Sequence, residues 1–547
     1  MTKKVLHKLT EVLLRPFREH FVFLVIFYLL TTGYYVFQQF NLNTLQTSSF
    51  VYVILVMMHC FVLTYFLTFL IGLIRPTIIR RIIQIILLSV ATLDFSINFY
   101  CLFHLKYFLD ADLLQLILGT DINEAKEFAS AMVPTWVILL LTILLLLLIG
   151  LGWLSCKHNM NLGKKASLVA LALTTIAIAP HFHIKYLWKD GPIYRLSELL
   201  EYDMPNQLNA YYSHPNISFN NQQQDMPANV VLIIGESFAR SHSSLYGYDK
   251  PTNPCLSELR DNSLLFAFDS INSPAPTTAE SIQYMLSTYS HSDDNNTNKK
   301  WYEFVSIIEA LQECGYGCSW FGNQARHSIK NGTARLYAEA CNRPFFLQQE
   351  GSDSFNDRYD NVLIDSSFQY INQPDQKHSP RFIIYHMMGS HFDFKMRYPS
   401  EYNHFKEDDY ASEPIEHRTI LATYDNSILY NDYIVSQIMN LFHDKDAVVI
   451  YVPDHGQVMY RNQKRPDYYA HGFSRDSVSY ALGVEIPFII YASPVFQKQH
   501  PDLMSLINSR QEHPKTWNSD ELPYLIMHIV GIKEINGKDV KDKSLLN

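Results

Sequence analysis

The chain has little that would draw it to nucleic acid. Its 44 Lys and Arg are outnumbered by 53 Asp and Glu, for a formal net charge of −9. Phosphate backbones demand a basic face, so a nucleic-acid partner is excluded. Thiols are scarce too, with seven cysteines in 547 residues. Cys60, Cys101 and Cys156 lie in or beside apolar runs, where a thiol packs as a small hydrophobe. Cys255, Cys314, Cys318 and Cys341 lie in polar sequence, an even number that suits two disulfides outside the cytoplasm. Four cysteines allow three pairings, and the sequence does not choose among them. Internal repeats and low-complexity tracts are absent, which excludes a repeat array.

Charge is also missing from much of the first third. A mean hydropathy of −0.05 averages over a largely apolar third and a polar, Tyr-rich remainder. Five apolar runs stand out, at residues 21–37, 50–74, 82–105, 132–154 and 166–184. Each approaches or exceeds the roughly 20 residues that cross a hydrocarbon core. No small-residue cleavage site follows the first run, so it reads as an anchor and not a cleaved signal peptide. Lys3, Lys4, Lys8, Arg15 and Arg18 precede the first run. Arg75, Arg80 and Arg81 follow the second, and Lys157, Lys164 and Lys165 follow the fourth. Residues 41–49 carry no charge and residues 110–127 are net acidic. The positive-inside rule then puts the N-terminus in the cytoplasm, and five crossings put everything after residue 184 on the outer side. Within the runs, Asp94 and His59 are read as packing or hydrogen-bonding residues, since no partner charge is evident at the depth of Asp94. Between the third and fourth runs, residues 113–128 show helical apolar spacing and are expected along the outer membrane surface. Thr120 and Glu124, four apart, would share a face there.

Three parts follow: a transmembrane domain at 1–184, a linker with an amphipathic segment at 185–227, and a soluble domain at 228–547. The soluble domain opens with ANVVLIIGESFAR at 228–240. An apolar β-favouring run closed by Gly235 reads as a buried strand of a parallel sheet, with Glu236 at its carboxyl end. FIIYHMMGSH at 382–391 delivers His391 in the same way, and AVVIYVPDHG at 447–456 delivers Asp454 and His455. Further strands are expected at 317–321 and 487–491, and helices at 302–314, 360–373 and 422–442. Strands alternating with helices predict an α/β domain with a mostly parallel sheet. In such sheets chemistry collects at the carboxyl ends of strands. Carboxylates and imidazoles without thiolates suit zinc, with manganese second. A metal that lowers the pKa of a bound hydroxyl calls for a nucleophile. Thr277 and Thr278 sit just before a helical pattern, where a hydroxyl is equally the expected N-cap.

The soluble domain resembles the phosphoethanolamine transferases of the alkaline phosphatase/sulfatase superfamily. The matching segments are GES at 235–237, SLYGY at 244–248, TNP at 252–254, PTTAESIQYMLS from Pro276, and GSH ending at His391. RYP at 397–399, YDN at 424–426, PDHG at 453–456 and AHG around His471 complete the set. The five-run anchor is similar as well. The resemblance implies a zinc-bound threonine nucleophile, which by position is Thr278, with Glu236, Asp454 and His455 holding the ion beside its oxygen. It implies that His391 and His471 act near the leaving group or a second zinc, one of them shuttling a proton, with both contacting substrate, and that Thr120 and Glu124 contact the lipid headgroup. The reaction implied is a double displacement: phosphoethanolamine passes from phosphatidylethanolamine to Thr278, then to lipopolysaccharide or another envelope glycan, on the periplasmic face of a bacterial inner membrane. Members of that family confer polymyxin resistance. Gln457 stands where the family usually has Glu, the segment 458–472 is atypical, and Arg326, His327 and Lys330 lie near but not at the place of the family's substrate lysine.

Two other readings use the same residues. A phosphoglycerol transferase would share anchor, threonine and metal site, and a catalytically dead membrane scaffold that binds lipid or glycan would keep the anchor but have no need of intact Glu236, Thr278, Asp454 and His455. A sulfatase would need the Cys-x-Pro-x-Arg motif, which is missing near the nucleophile position.

Overall fold

The structure is a computed structural model of the full chain. It describes residues 2–41, 47–101, 138–139, 142–143, 145–146, 150, 162–181, 219–221, 226–291, 293, 299–324, 332–347, 359–372, 380–464, 466, 468–470 and 477–547. Two compact units emerge: one of N-terminal helices, and one holding the chain from residue 203 onward.

The helical unit contains α1 (Thr2–Leu13), α2 (Phe21–Asn41), α3 (Thr47–Gly72), α4 (Thr77–Tyr100) and α5 (Lys164–His181). Five spanning helices are expected from the sequence. Among the described residues two stretches, 53–72 and 77–100, have the length and apolarity to cross a membrane, and a shorter apolar helix covers 21–33. Most of 132–154 and the linker 185–218 lie outside the described residues, as does the 113–128 segment with Thr120 and Glu124. Two of the basic segments, the N-terminal one and the one that carries Lys164, meet in this unit. Glu11 pairs with Lys164 at 2.9 Å and with Arg18, and the Leu162 N–H donates to the Phe17 carbonyl.

In the second unit a seven-stranded sheet is built from β1 (Asn229–Gly235), β2 (Leu265–Phe268), β3 (Gly317–Gly322), β4 (Arg343–Phe346), β5 (Arg381–His386), β6 (Ala447–Pro453) and β7 (Phe488–Ala492). Their spatial order is β2-β7-β6-β1-β5-β3-β4. β1 is central and parallel to both neighbours, with Ile234 beside His386 and Gly235 beside Pro453. All seven of its residues are buried. Val230, Leu232 and Ile234 enter one core layer while Val231 and Ile233 enter the other. A strand covered on both faces must be apolar throughout, which is why it reads as an uninterrupted run. The sheet is mixed rather than uniformly parallel, because β7 runs antiparallel to β6 and to β2.

Helix α6 (Pro254–Asp261) precedes β2. One face of the sheet carries α7 (Thr278–Met285) and α8 (Ile307–Glu313), and the other carries α9 (Asn361–Ile371) and α10 (Ile415–Asn440). α8 starts five residues later than the periodicity predicts. The Ser306 hydroxyl accepts from the Glu309 N–H at 3.1 Å and the Glu309 carboxylate accepts from the Ser306 N–H, a reciprocal cap that sets the boundary. α10 starts seven residues earlier, directly after Pro414.

The expected disulfides do not form: the six described cysteines are free. A bridge needs two sulfurs in contact. Here the Cys318 thiol donates weakly to the Ile308 carbonyl at 3.8 Å and the Cys341 thiol to the Tyr337 carbonyl at 3.5 Å. Burial pushes the Cys318 thiol up to about 12, so it stays protonated.

Candidate active site

The carboxyl ends of β1 and β6 meet. Gly235 is required there, since a Cβ would lie 2.6 Å from the Tyr451 hydroxyl oxygen. The Asp454 N–H donates to the Gly235 carbonyl and the Phe238 N–H to the His455 carbonyl, which extends the pairing past the strands. Glu236 follows and is buried, and Ser237 then adopts a left-handed φ of 55°. Such a conformation persists only where the surroundings hold it. Tyr424 of α10 does so, its hydroxyl donating to the Ser237 carbonyl at 2.7 Å and accepting from the Ala239 N–H at 2.8 Å.

Asp454 is ordered by its backbone neighbours, its Oδ1 accepting from the His455 N–H at 2.8 Å and the Ser237 N–H at 3.3 Å. The His455 Nδ1 lies 2.9 Å from the Gly456 carbonyl, so Nδ1 carries the proton and Nε2 is left for the site. That Nε2 lies 3.1 Å from Glu236 Oε1 and 3.7 Å from Asp454 Oδ2. Thr278, the first residue of α7, completes the group. Its Oγ1 lies 3.2 and 3.4 Å from the Glu236 carboxylate oxygens and 3.4 Å from His455 Nε2. Thr277 holds the N-cap position but its side chain makes no capping bond. The two threonines, equivalent in the local sequence, are thereby distinguished.

These residues fit a divalent cation. One ligand atom from each of Glu236, Asp454 and His455 falls within 4.8 Å of the others, and all three residues are buried. Asp454 Oδ2 has no hydrogen-bond partner among the described residues. Burial, and after it the charge of Glu236, pushes the Asp454 carboxyl well above the carboxylate range. Burial alone would lower the His455 imidazole, but the charges of Asp454 and Glu236 outweigh it and lift it to about 9. A buried cluster that needs positive compensation, built from two carboxylates and an imidazole, is a donor set zinc accepts.

Residue His391 lies on the loop after β5. Next to it, the Ser390 N–H donates to the Glu236 carbonyl at 3.0 Å. The His391 Nδ1 lies 2.6 Å from the Phe392 carbonyl, which leaves its Nε2 to exchange a proton. His471, like Thr120 and Glu124, lies outside the described residues.

Sequence reasoning missed the residues that hold this site. The Gln324 side-chain amide donates to Glu236 Oε2 at 3.2 Å and to the Met387 carbonyl at 2.9 Å. Asp360, expected only as a helix start, is a buried clamp. Its carboxylate accepts from the N–H groups of Met388 and Gly389 at 2.9 and 2.8 Å and from the Asn323 amide at 2.9 Å. Only the position of Asn323 and Gln324 just after a predicted strand could have pointed to this support.

Comparison with known proteins agrees with this architecture. Residues 228–532 match the Sulfatase family. Phosphoethanolamine transferase EptC of Escherichia coli strain K12 is 27% identical over 294 residues, 52% of this chain and 49% of that protein. The match thus spans about half the length of that curated relative. Among solved structures, the integral membrane lipooligosaccharide phosphoethanolamine transferase A of Neisseria meningitidis superposes with a TM-score of 0.64 at 17% identity, covering 96% of this chain and 97% of its own. The periplasmic domain of E. coli EptC, in complex with Zn, superposes at 0.53 with 24% identity, covering 61% of this chain and 90% of its own. At these identities the superpositions speak for the fold. With more than half of its residues inside the match, the chain belongs to the Sulfatase family.

Proposed function

We propose that the protein is a zinc-dependent phosphoethanolamine transferase that takes its donor group from phosphatidylethanolamine and delivers it to lipopolysaccharide or a related envelope glycan. The observation that carries this is the Thr278 hydroxyl, held within 3.4 Å of both Glu236 and His455 in a buried cluster that suits a cation. The names of the relatives supply the transferred group, phosphoethanolamine.

Glu236, Asp454 and His455 would hold the zinc, which when bound acidifies a neighbouring hydroxyl and neutralises charge on phosphoryl oxygens. Thr278 Oγ1 attacks the donor phosphorus. The bond from phosphorus to the glycerol oxygen breaks, and diacylglycerol leaves with a proton. An acceptor hydroxyl or phosphate oxygen then attacks the phosphorus of the phosphoethanolamine–threonine, the bond from phosphorus to Thr278 Oγ1 breaks, and Oγ1 takes back a proton. His391 Nε2, with His471, supplies and removes these protons. Thr120 and Glu124 would meet the lipid headgroup.

In this reading residues 1–184 anchor the protein in the inner membrane, 185–227 connect, and 228–547 carry the reaction in the periplasm with the N-terminus cytoplasmic. The gathering of Glu11, Arg18 and Lys164 in the helical unit supports that orientation, since basic clusters stay on the cytoplasmic side. The test is transfer of a headgroup-labelled phosphatidylethanolamine from liposomes to purified lipopolysaccharide. Label in the lipopolysaccharide, abolished by Thr278→Ala and by chelation, is expected. Ethanolamine label left in the lipid, with headgroup glycerol label moving from phosphatidylglycerol in a parallel assay, would replace this reading with phosphoglycerol transfer.

A further inference from the structure

The segment after Asp454 and His455 departs from the family pattern, and its residues 458–470 have no part in the chemistry above. It folds back on itself: the Met459 N–H donates to the Tyr469 carbonyl at 3.1 Å and the Tyr460 N–H to the Tyr468 carbonyl at 3.0 Å. Its base is anchored. The Asn462 amide donates to Ser479 Oγ at 2.7 Å, and Arg461 donates to Glu485 at 2.7 Å and to Ser241 at 2.6 Å. Met459 and Tyr460 both take left-handed backbone, with φ of 45° and 62°, although neither is glycine. Two such residues in succession are uncommon, and they persist only where surrounding contacts fix them.

This backbone organises a row of rings. Tyr460 lies flat on the buried His417 imidazole, centroids 3.8 Å apart and planes 8° apart. Tyr469 tilts against Tyr460 at 5.4 Å and 50°, and against Phe392 at 6.2 Å and 37°. Phe392 meets the buried Phe394 edge-on at 5.5 Å. The two ends of the row, His417 and Phe394, are buried, while Phe392, Tyr460 and Tyr469 between them are only half-buried. A core cluster would hide its middle; this one hides its ends and presents its middle. The row is also continuous with the proposed site. Phe392 directly follows His391, and Tyr460 lies five residues after His455.

We propose that Phe392, Tyr460 and Tyr469 form a subsite for a sugar ring of the acceptor, which it holds beside Thr278 for the second displacement. The inference rests on the transferase reading above. Rigid, amphipathic aromatic rings give large contact at little entropic cost, and their faces suit the C–H face of a pyranose better than a flexible acyl chain. Rings that meet at a tilt, as Tyr469 meets Phe392 and Tyr460, leave part of their faces uncovered, whereas rings stacked flat on one another would cover them. An acceptor held on the loops that carry His391 and His455 would be kept near the groups that act on the loaded threonine.

The test uses the full-length protein in detergent with phosphatidylethanolamine as donor, and follows adduct on Thr278 and its discharge separately. Two discharge probes are compared: core oligosaccharide released from lipopolysaccharide by mild acid, and a sugar-free alkyl phosphate. Tyr460→Ala and Tyr469→Ala are expected to slow oligosaccharide discharge at least tenfold more than alkyl phosphate discharge, and at least tenfold more than adduct formation. Tyr460→Phe and Tyr469→Phe, which keep the rings, should restore most of the loss. Equal slowing of both probes, or of adduct formation, would overturn the subsite. Binding is read independently of turnover by saturation-transfer NMR with the same oligosaccharide. Transfer that disappears in the Ala variants supports the subsite even if no adduct ever forms and the transferase reading fails; transfer unchanged in both variants refutes it.

Discussion

Replacing Tyr424 by Phe removes one oxygen atom and nothing else from the wall behind Glu236. That oxygen makes two hydrogen bonds, to the Ser237 carbonyl at 2.7 Å and from the Ala239 N–H at 2.8 Å. Tyr424, Ser237 and Ala239 are all buried to within 1% of completely. Neither backbone group has water to turn to once the hydroxyl is gone. A buried polar group left unpaired costs about 1–3 kcal/mol, so the pair should cost roughly 2–6 kcal/mol. Ser237 adds to this, because its left-handed φ of 55° depends on the same contact. For domains of 150–250 residues each kcal/mol lowers Tm by about 2–4 °C, and a fall of several degrees is expected here. Scanning calorimetry of the detergent-solubilised full chain measures it, with Tyr433→Phe on the same helix, where the side chain is half-buried, as the control expected to move little. Zinc affinity, read by competition with a chromogenic chelator, should fall in Tyr424→Phe because Glu236 adjoins the released segment. A variant with unchanged Tm and unchanged zinc affinity would refute the claim that α10 holds the strand end in place.

Other outcomes follow from the same geometry. Gly389→Ala would put a Cβ 2.8 Å from the Glu236 nitrogen on a residue with φ of 48°, so it should destabilise the second unit by about 2 kcal/mol or more and weaken zinc binding, again by calorimetry and chelator competition. Thr278→Ala should abolish labelled-headgroup transfer, while Thr277→Ala, whose side chain makes no capping bond, should retain it within a few fold. Zinc affinity should rise at least tenfold per pH unit between pH 6 and 8, because His455 must shed a proton to ligate and the charges of Asp454 and Glu236, working against burial, hold that proton up to about 9, while the Asp454 carboxyl, pushed up by burial, steepens the rise wherever it too is protonated. The sign for stability is opposite: in metal-free protein the His455 ion pairs contribute fully below about pH 6.5 and fade as pH rises towards 9. Chemical denaturation of chelator-treated protein across that range measures the loss.

Five of the seven strands were legible because burial leaves an apolar run that no turn or surface helix imitates; the two edge strands were not, β2 being only four residues long and β4 a short segment with Arg343 and Pro344 exposed. The candidate ligands were legible for a related reason: Glu236, Asp454 and His455 are polar residues placed immediately after such runs, where a parallel sheet collects them. Direction was not legible. β7 is as apolar as β6, and burial on both faces looks the same whichever way a strand runs. Helix boundaries moved where a side chain intervened, as Ser306 and Glu309 do for α8. Disulfides were misjudged because pairing depends on proximity, and parity of a count carries none. The family-like motifs carried a different message from the one the chemistry invites. In YDN, Tyr424 braces the Glu236 loop, and Asp425 accepts from Tyr248 of SLYGY at 2.7 Å and lies 2.7 Å from the His242 Nδ1. Asn426 accepts the N–H groups of His404 and Phe405, each at 2.8 Å. After TNP, the first N–H groups of α6 end on Asp432. Nothing local in the sequence reveals partners so far apart along the chain. The same holds for Asp360, which looks like a helix start and serves as a clamp.

The central claim is that Thr278 becomes covalently loaded with the donor headgroup. The most direct measurement is the mass of the peptide carrying Thr278, after full-length zinc-loaded protein is incubated with phosphatidylethanolamine in the absence of acceptor. The account predicts a phosphoethanolamine adduct on Thr278, with diacylglycerol released in equal amount and the adduct lost on adding lipopolysaccharide. An unmodified Thr278 peptide while transfer proceeds, or an adduct on Thr277 instead, would contradict it.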